Sequence, residues 1–234
     1  MEFLQGVILM NNLEILYEDN HIIVVVKPNN VLSQEDYTKD TDMLTIIKNY
    51  IKEKYNKPGN VYLGLVHRLD RPVSGVMVFA KTSKAAARLA KDMKNNMFSK
   101  KYMAVIHNNL VEDNGIFVDY IEKKENGNSV ITKEGIGKYS ELSYKIIDKN
   151  KSLALVDIYL KTGRHHQIRV QFSSRKSPLY GDWRYGKKDS ELIYLHAYEL
   201  SFNHPITHEV MTFCKYPSVD DNIWSYFDIR KMTK

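Results

Sequence analysis

A carboxylate sits between two guanidinium groups in the stretch His67-Arg68-Leu69-Asp70-Arg71-Pro72-Val73-Ser74-Gly75. Apolar runs flank it on both sides, so it reads as a loop between strands, where rigid scaffolds often carry reactive groups. The adjacent Arg side chains favour the ionised form of Asp70, the form that a nucleophile or general base needs. The same residues would also make a salt-bridged turn without chemistry, and the stretch alone leaves both readings open. A second stretch, Thr162-Gly163-Arg164-His165-His166-Gln167-Ile168-Arg169, reads as a strand end followed by a helix from about Arg164. Backbone N–H groups at that helix start, with Arg164 beside them, would suit a phosphate. His165 and Arg169, four apart, would share a helix face. The paired His residues do not make a metal site: neighbouring residues point apart, and no nearby Cys or carboxylate completes a ligand set. A third stretch, Gly181-Asp182-Trp183-Arg184-Tyr185-Gly186, is a Gly-bounded loop. Its Trp183 and Tyr185 either stack on unpaired bases beside Arg184 or simply cover the core.

Several elements must hold these stretches in place. Ile22 to Val26 is a continuous β-branched run ended by Lys27-Pro28-Asn29-Asn30, a buried strand followed by a turn. Thr41 to Tyr55 places Leu44, Ile47 and Ile51 on one side of an amphipathic helix, with Asp40 or Thr41 as its cap. Val61 to Val66 and Val76 to Ala80 read as the strands around the first stretch. Ser83 then caps a helix whose core stripe is Ala86, Leu89, Ala90, Met93 and Met97. Tyr102 to Ile106 is another strand, and 112–140 reads as hairpins and loops. Leu142 to Ile147 and Leu153 to Leu160 form an antiparallel pair across an Asp-Lys-Asn-Lys turn. Further strands are expected near Leu192 to His196 and Val210 to Phe213. Strands outnumber helices without regular alternation, which predicts an α+β fold with a mixed, mostly antiparallel central sheet flanked by helices and loops. One domain is expected over 13–234, with residues 1–12 as an N-terminal extension.

The bulk composition sets limits on partners and compartment. At 234 residues, 43% of them hydrophobic and 26% charged, the chain can bury a core without metal or disulfide staples. The single Cys214 cannot form an internal disulfide, which points to a reducing cytoplasm. The apolar run within Met1 to Leu13 is too short to span a bilayer, and Glu2 stands where a signal peptide wants positive charge. A net charge of +6 favours an acidic partner. The basic residues divide into 26 Lys and 8 Arg, and six of the Arg fall within 67–75 and 162–186. Where Lys supplies the ordinary surface charge, clustered Arg points to the planar bidentate fork that binds carboxylate or phosphate.

His67-Arg68-Leu69-Asp70 followed by Ser74-Gly75 closely resembles the signature of the RluA family of pseudouridine synthases. The resemblance continues in order along most of the chain. Tyr17-Glu18-Asp19-Asn20-His21 through Lys27-Pro28 is similar to the family's first strand. Lys101-Tyr102-Met103-Ala104 is similar to its tyrosine motif, and Thr162 to Arg169 to its arginine motif. Gly181-Asp182 with Tyr185-Gly186, then Leu195-His196-Ala197 and His204-Pro205, resemble its C-terminal landmarks. Two positions depart from the pattern: Val73 precedes Ser74 where Thr is usual, and Gln171 stands where the arginine motif commonly continues to a His.

The resemblance implies the pseudouridine synthase catalytic fold, with Asp70 as the catalytic aspartate. Tyr102 would pack on the uracil ring and serve as a base, and Arg169 would pair with Asp70 and orient it. Arg68 would fill the space left by a flipped-out nucleotide, and Arg164 would support the loop or a phosphate. Arg71, His166 and Gln167 complete the residues expected at the RNA. Whether Asp70 attacks the ribose or the ring, or assists elimination to a glycal, stays open. The family's isomerisation needs no cofactor and no catalytic metal. The first strand begins so near Met1 that no S4-type RNA-binding extension is expected, leaving one catalytic domain to recognise structured ribosomal or transfer RNA by its own surface. A monomer without an obligate protein partner or membrane is expected. A non-catalytic RNA-binding or RNA-chaperone module on the same fold is the alternative. A hydrolase built on Asp70 and the His residues lacks a second carboxylate or a ligand set.

Overall fold

The computed structural model describes residues 13–219, 222–229 and 231, so the expected N-terminal extension, 1–12, lies outside the described residues. The described residues fall into two compact units, one formed by 13–98 with 199–215 and the other by 99–198 with those from 216 onward.

The first unit is built on β1 (Ile15–Glu18), β2 (Ile22–Lys27), β3 (Gly64–Leu65) and β4 (Ser74–Ala80), with helices α1 (Met43–Lys54) and α2 (Ser83–Lys94). Strand β2 pairs antiparallel with β1 on one side and β4 on the other. All but one of its residues are buried, which is why it reads as an unbroken β-branched run rather than an alternating one. The strand expected over Val61 to Val66 shrinks to two residues. Helix α1 begins at Met43 because Asp42 accepts from the Leu44 and Thr45 amides, so the cap is Asp42 rather than Asp40 or Thr41. Likewise Thr82, not Ser83, caps α2, through the Ala85 amide. The buried stripe of α2 is rotated from the expected one. Ala85 and Leu89 are buried with Val24, Val78 and Phe202, whereas Ala90 and Met97 are exposed.

The second unit is a five-stranded antiparallel sheet of β5 (Ser99–His107), β6 (Asn114–Lys123), β7 (Ser129–Thr132), β8 (Lys138–Lys149) and β9 (Leu153–Leu160). Its strand order is β5-β9-β8-β6-β7. Helix α3 (Gln167–Ser174) covers one face, its Phe172 ring 5.1 Å from Phe117 and 5.7 Å from Tyr144. Successive strand residues face opposite ways, so Tyr102 and Tyr144, both in register with Ile158, share the α3 face. Met103, Val105 and Leu155 turn the other way and pack with Trp224 and Phe227 around a short 3-10 helix, Ile223–Tyr226, which the sequence pattern did not announce. Strand β10 (Leu195–Asn203) begins in this unit and ends in the first, where β11 (Val210–Cys214) pairs with it. The strand pairings described within the units are all antiparallel, and an isolated parallel bridge joins Leu32 and Asp42. Among the described residues, no helix is long and apolar enough to cross a membrane.

Candidate active site

In the first unit, residues 66–73 form the loop leading into β4, and its main chain is held from below. Lys27, fully buried at the end of β2, donates from Nζ to the carbonyls of Val31 at 2.6 Å, Pro28 at 3.0 Å and Arg71 at 3.0 Å. Asn29 Nδ2 donates to the Pro72 carbonyl at 2.8 Å. The buried Ser33 hydroxyl donates to the Leu69 carbonyl at 2.8 Å and accepts from the Leu69 amide at 3.2 Å. The Val73 amide closes the turn on the Asp70 carbonyl at 3.0 Å. His67 is buried and accepts the Val78 amide through Nε2 at 3.1 Å. The loop therefore presents a half-buried Asp70 between exposed Arg68 and Arg71. Arg71 pairs with Asp40 at 2.6 Å. Val73 is buried, and bracing of the turn comes from Lys27, Asn29 and Ser33 rather than from a hydroxyl at 73.

Burial lowers the Lys27 ammonium to a pKa of about 7; the Asp70 charge opposes that shift and the Arg71 charge adds to it. Sequence reading placed Lys27 only as the end of a strand. Its type was the available signal, because a Lys closing a run of five β-branched residues has nowhere to put its charge except among main-chain carbonyls.

The second unit carries the arginine-rich stretch. Helix α3 starts at Gln167, not near Arg164, because His166 adopts a left-handed conformation at φ 53° and breaks the turn. His165 thus precedes the helix and shares no helical face with Arg169. The same left-handed step stacks the two His rings at 3.7 Å instead of pointing them apart. Gln167 is buried, and its amide is fully turned to the protein. Its Oε1 accepts from Thr162 Oγ1 at 2.8 Å and from the Arg164 amide at 2.9 Å, and its Nε2 donates to the Glu141 carbonyl at 3.1 Å. The Arg164 amide is therefore already occupied, while its exposed side chain donates through Nε to the Tyr139 carbonyl at 2.9 Å.

Arg169, only 6% exposed at its side chain, makes a two-pronged pair with a fully buried Asp182: Nε to Oδ2 at 2.8 Å and Nη2 to Oδ1 at 2.7 Å. Its guanidinium also lies 5.1 Å from the centre of the Tyr185 ring. The Tyr185 hydroxyl accepts the Ser129 amide at 2.7 Å and lies 2.7 Å from His166 Nδ1. Burial, then the Arg169 charge, drives the His166 pKa down to about 2, so the imidazole is neutral and accepts a hydrogen bond from the Tyr185 hydroxyl. Ser129 Oγ donates to the His165 carbonyl at 2.6 Å, fastening β7 to this turn. Asp182, Tyr185 and Ser129 support Arg169 and were not read as such. Asp182 and Tyr185 were read as loop residues and family landmarks, without a link to Arg169, and Ser129 carried no signal. Gln171, the second departure, is fully buried and donates to Asp119 Oδ2 at 2.7 Å, an acceptor shared with Arg175 at 2.9 Å.

The sequence-predicted residues thus divide between the units. Arg68, Asp70 and Arg71 share one loop of the first. In the second, Arg164, His166, Gln167 and Arg169 share the turn into α3, and Tyr102 is buried on the sheet face that α3 covers.

Residues 21–174 match the family described as RNA pseudouridylate synthase. The chain is 31% identical over 230 residues to the dual-specificity RNA pseudouridine synthase RluA of Vibrio vulnificus, covering 92% of this chain and 89% of that one. It is 34% identical over 209 residues to an uncharacterized RNA pseudouridine synthase of Mycoplasma pneumoniae, the MG209 homolog. That match covers 86% of this chain and spans 65% of the relative's length. Among solved structures, Human RNA Pseudouridylate Synthase Domain Containing 4 shares the fold with a TM-score of 0.77 at 23% identity, over 92% of this chain and 94% of that one.

Proposed function

This chain belongs to the RNA pseudouridylate synthase family, in its RluA-type form, and on that premise we propose that it isomerises uridines in structured ribosomal or transfer RNA to pseudouridine. The observation that carries the proposal is the Asp70 loop. Its backbone is held at Leu69, Arg71 and Pro72, so that a half-buried Asp70 is fixed in a loop whose neighbours in sequence, Arg68 and Arg71, are exposed. Preorganisation of this kind serves a group that must act at a fixed point, and a solvated salt-bridged turn has no need of it.

In the proposed reaction the target uridine leaves its stack, at a cost of about a few kcal/mol, and Arg68 fills the gap. Asp70 attacks the ribose or the ring, or assists elimination to a glycal. By any of these routes the N1–C1′ bond breaks, the captive uracil turns, and a C5–C1′ bond forms. C5 then loses its proton and N1 ends protonated, so atoms and electrons balance without oxidant or group donor. Tyr102 packs on the ring and takes part in the proton transfer, and Arg169, gripped by Asp182, is the further residue of the second unit proposed to serve turnover. Arg71 and Arg164 contact phosphates. His166 and Gln167 serve the RNA by fixing the loop that carries Arg164, since their polar atoms are engaged within the protein. The compartment proposed for this work is the cytoplasm.

Tritium release from RNA labelled at uracil C5, with ribosomal and transfer RNA assayed separately, tests the reaction. Release by the wild type and none by Asp70→Asn is the expected result. Equal release by both would remove Asp70 from catalysis, and release by neither would leave the fold as an RNA-binding module.

A further inference from the structure

Trp183 is 64% exposed, although the loop around it is held by several hydrogen bonds. Gly181 turns at φ +78°, and a Cβ there would lie 1.8 Å from the Leu192 carbonyl oxygen, so the two ends of the loop touch backbone to backbone. Asp189 clamps the base: one carboxylate oxygen accepts the Gly181 amide at 2.7 Å and the other lies 2.7 Å from His107 Nε2. Asp182 accepts the Arg184 and Tyr185 amides at 3.2 and 3.3 Å, while its carboxylate also grips Arg169. The Trp183 amide donates to the Gly181 carbonyl at 3.1 Å. The ring's exposure is therefore imposed by a fixed backbone rather than by a loose tip, and its flat face stays in water where burial would have been favourable.

Charge defines what that face suits. Asp182 and Asp189 are turned inward onto Arg169 and His107, whereas Arg184, Lys187 and Lys188 are exposed, with Glu191 paired to Lys188 at 3.3 Å. The Arg184 guanidinium lies 5.6 Å from the Trp183 ring centre, and its Nη1 donates to the Gly127 carbonyl at 3.3 Å. A rigid indole beside outward cations matches an unpaired base with its phosphates. Tyr185, the other aromatic residue of this loop, is tied to Ser129 and His166 and is not offered in the same way.

We propose that Trp183, with Arg184 beside it, is a stacking platform for an unpaired base of the RNA substrate outside the reacting uridine. This deepens the function proposed above and rests on RNA being the ligand, but it does not depend on catalysis.

The chain has two tryptophans, and Trp224 is buried, so Trp183 reports on its own occupancy. Asp70→Asn protein, which cannot turn over, is titrated with a uridine oligonucleotide and with a fully paired RNA duplex of equal length. Indole fluorescence is followed together with the anisotropy of a labelled strand. The expected result is saturable quenching by the single strand and little by the duplex. A further Trp183→Ala change, at an exposed position that leaves Tm unmoved, abolishes the quenching and weakens single-strand binding about tenfold. Trp183→Phe recovers part of that affinity. Binding seen by anisotropy without quenching, or equal affinity of the Trp183→Ala protein, would overturn the platform and leave the isomerase reading intact. Absence of tritium release by the wild type alongside full quenching would do the reverse.

Discussion

Asp182 holds Arg169 in a place where neither charge meets water. Removing one partner of such a pair leaves the other charge buried without compensation, so Asp182→Ala should cost about 3–5 kcal/mol, read from the urea midpoint. Arg169→Ala should cut kcat far more than it weakens RNA binding; equal kcat for variant and wild type would end its proposed part in turnover. Lys27 poses a different balance. Its ammonium is held by three carbonyls, yet burial lowers its pKa from 10.5 to about 7. Between those two values the unfolded chain binds a proton that the folded chain does not, so this residue makes stability rise with pH across that window. Lys27→Met loses the carbonyl partners and is less stable throughout, but it also loses that slope. The stability gap between wild type and variant should therefore widen from pH 7 to pH 10 in urea titrations. A constant gap would mean that Lys27 keeps its proton.

At the scale of elements, what could be read from sequence followed burial pattern, and what could not followed local hydrogen bonding. β2 and the β8–β9 pair were legible because buried runs and alternation are properties of residue type. The start of α3 was not, because it depends on His166 taking a left-handed backbone that its type permits without requiring. The buried stripe of α2 slipped because Ala and Met fit either side of a helix, and tertiary packing chose Ala85 and Leu89. Among the candidate site residues, Asp70 and the arginines stood out by type and clustering but took roles only from the family resemblance, whereas Ser33, Asn29 and Ser129 act through single bonds to main chain, which leave no periodic trace. The turn into α3 carries its own pH dependence. His166, with a pKa of about 2 when folded, stays neutral while the unfolded chain protonates it below about 6.5, so acid draws the turn toward unfolding. His166→Asn keeps a residue that tolerates a positive φ and caps helices well. The wild type should lose stability relative to this variant by on the order of 1 kcal/mol between pH 7 and pH 5, after allowance for solvent screening. Parallel Tm curves over that range would mean that the ring protonates in the folded state.

Across the whole chain, a net charge of +6 supplies a field that attracts RNA without choosing a site on it. Lys dominates that field, while Arg is concentrated in the two stretches proposed to meet the substrate. The two contributions separate in a salt titration. A side chain that neutralises one phosphate of a single strand releases condensed counterions, and its loss should flatten the plot of log affinity against log salt by roughly 0.7. Arg71→Ala and Arg164→Ala are each expected to flatten it by up to that amount, with the smaller loss at Arg71, whose partner Asp40 already offsets part of its charge. Stacking releases no counterions, so Trp183→Ala should lower affinity at every salt concentration and leave the slope unchanged. Parallel lines for these two Arg variants would place their guanidinium groups away from the phosphates and return RNA attraction to the diffuse Lys field.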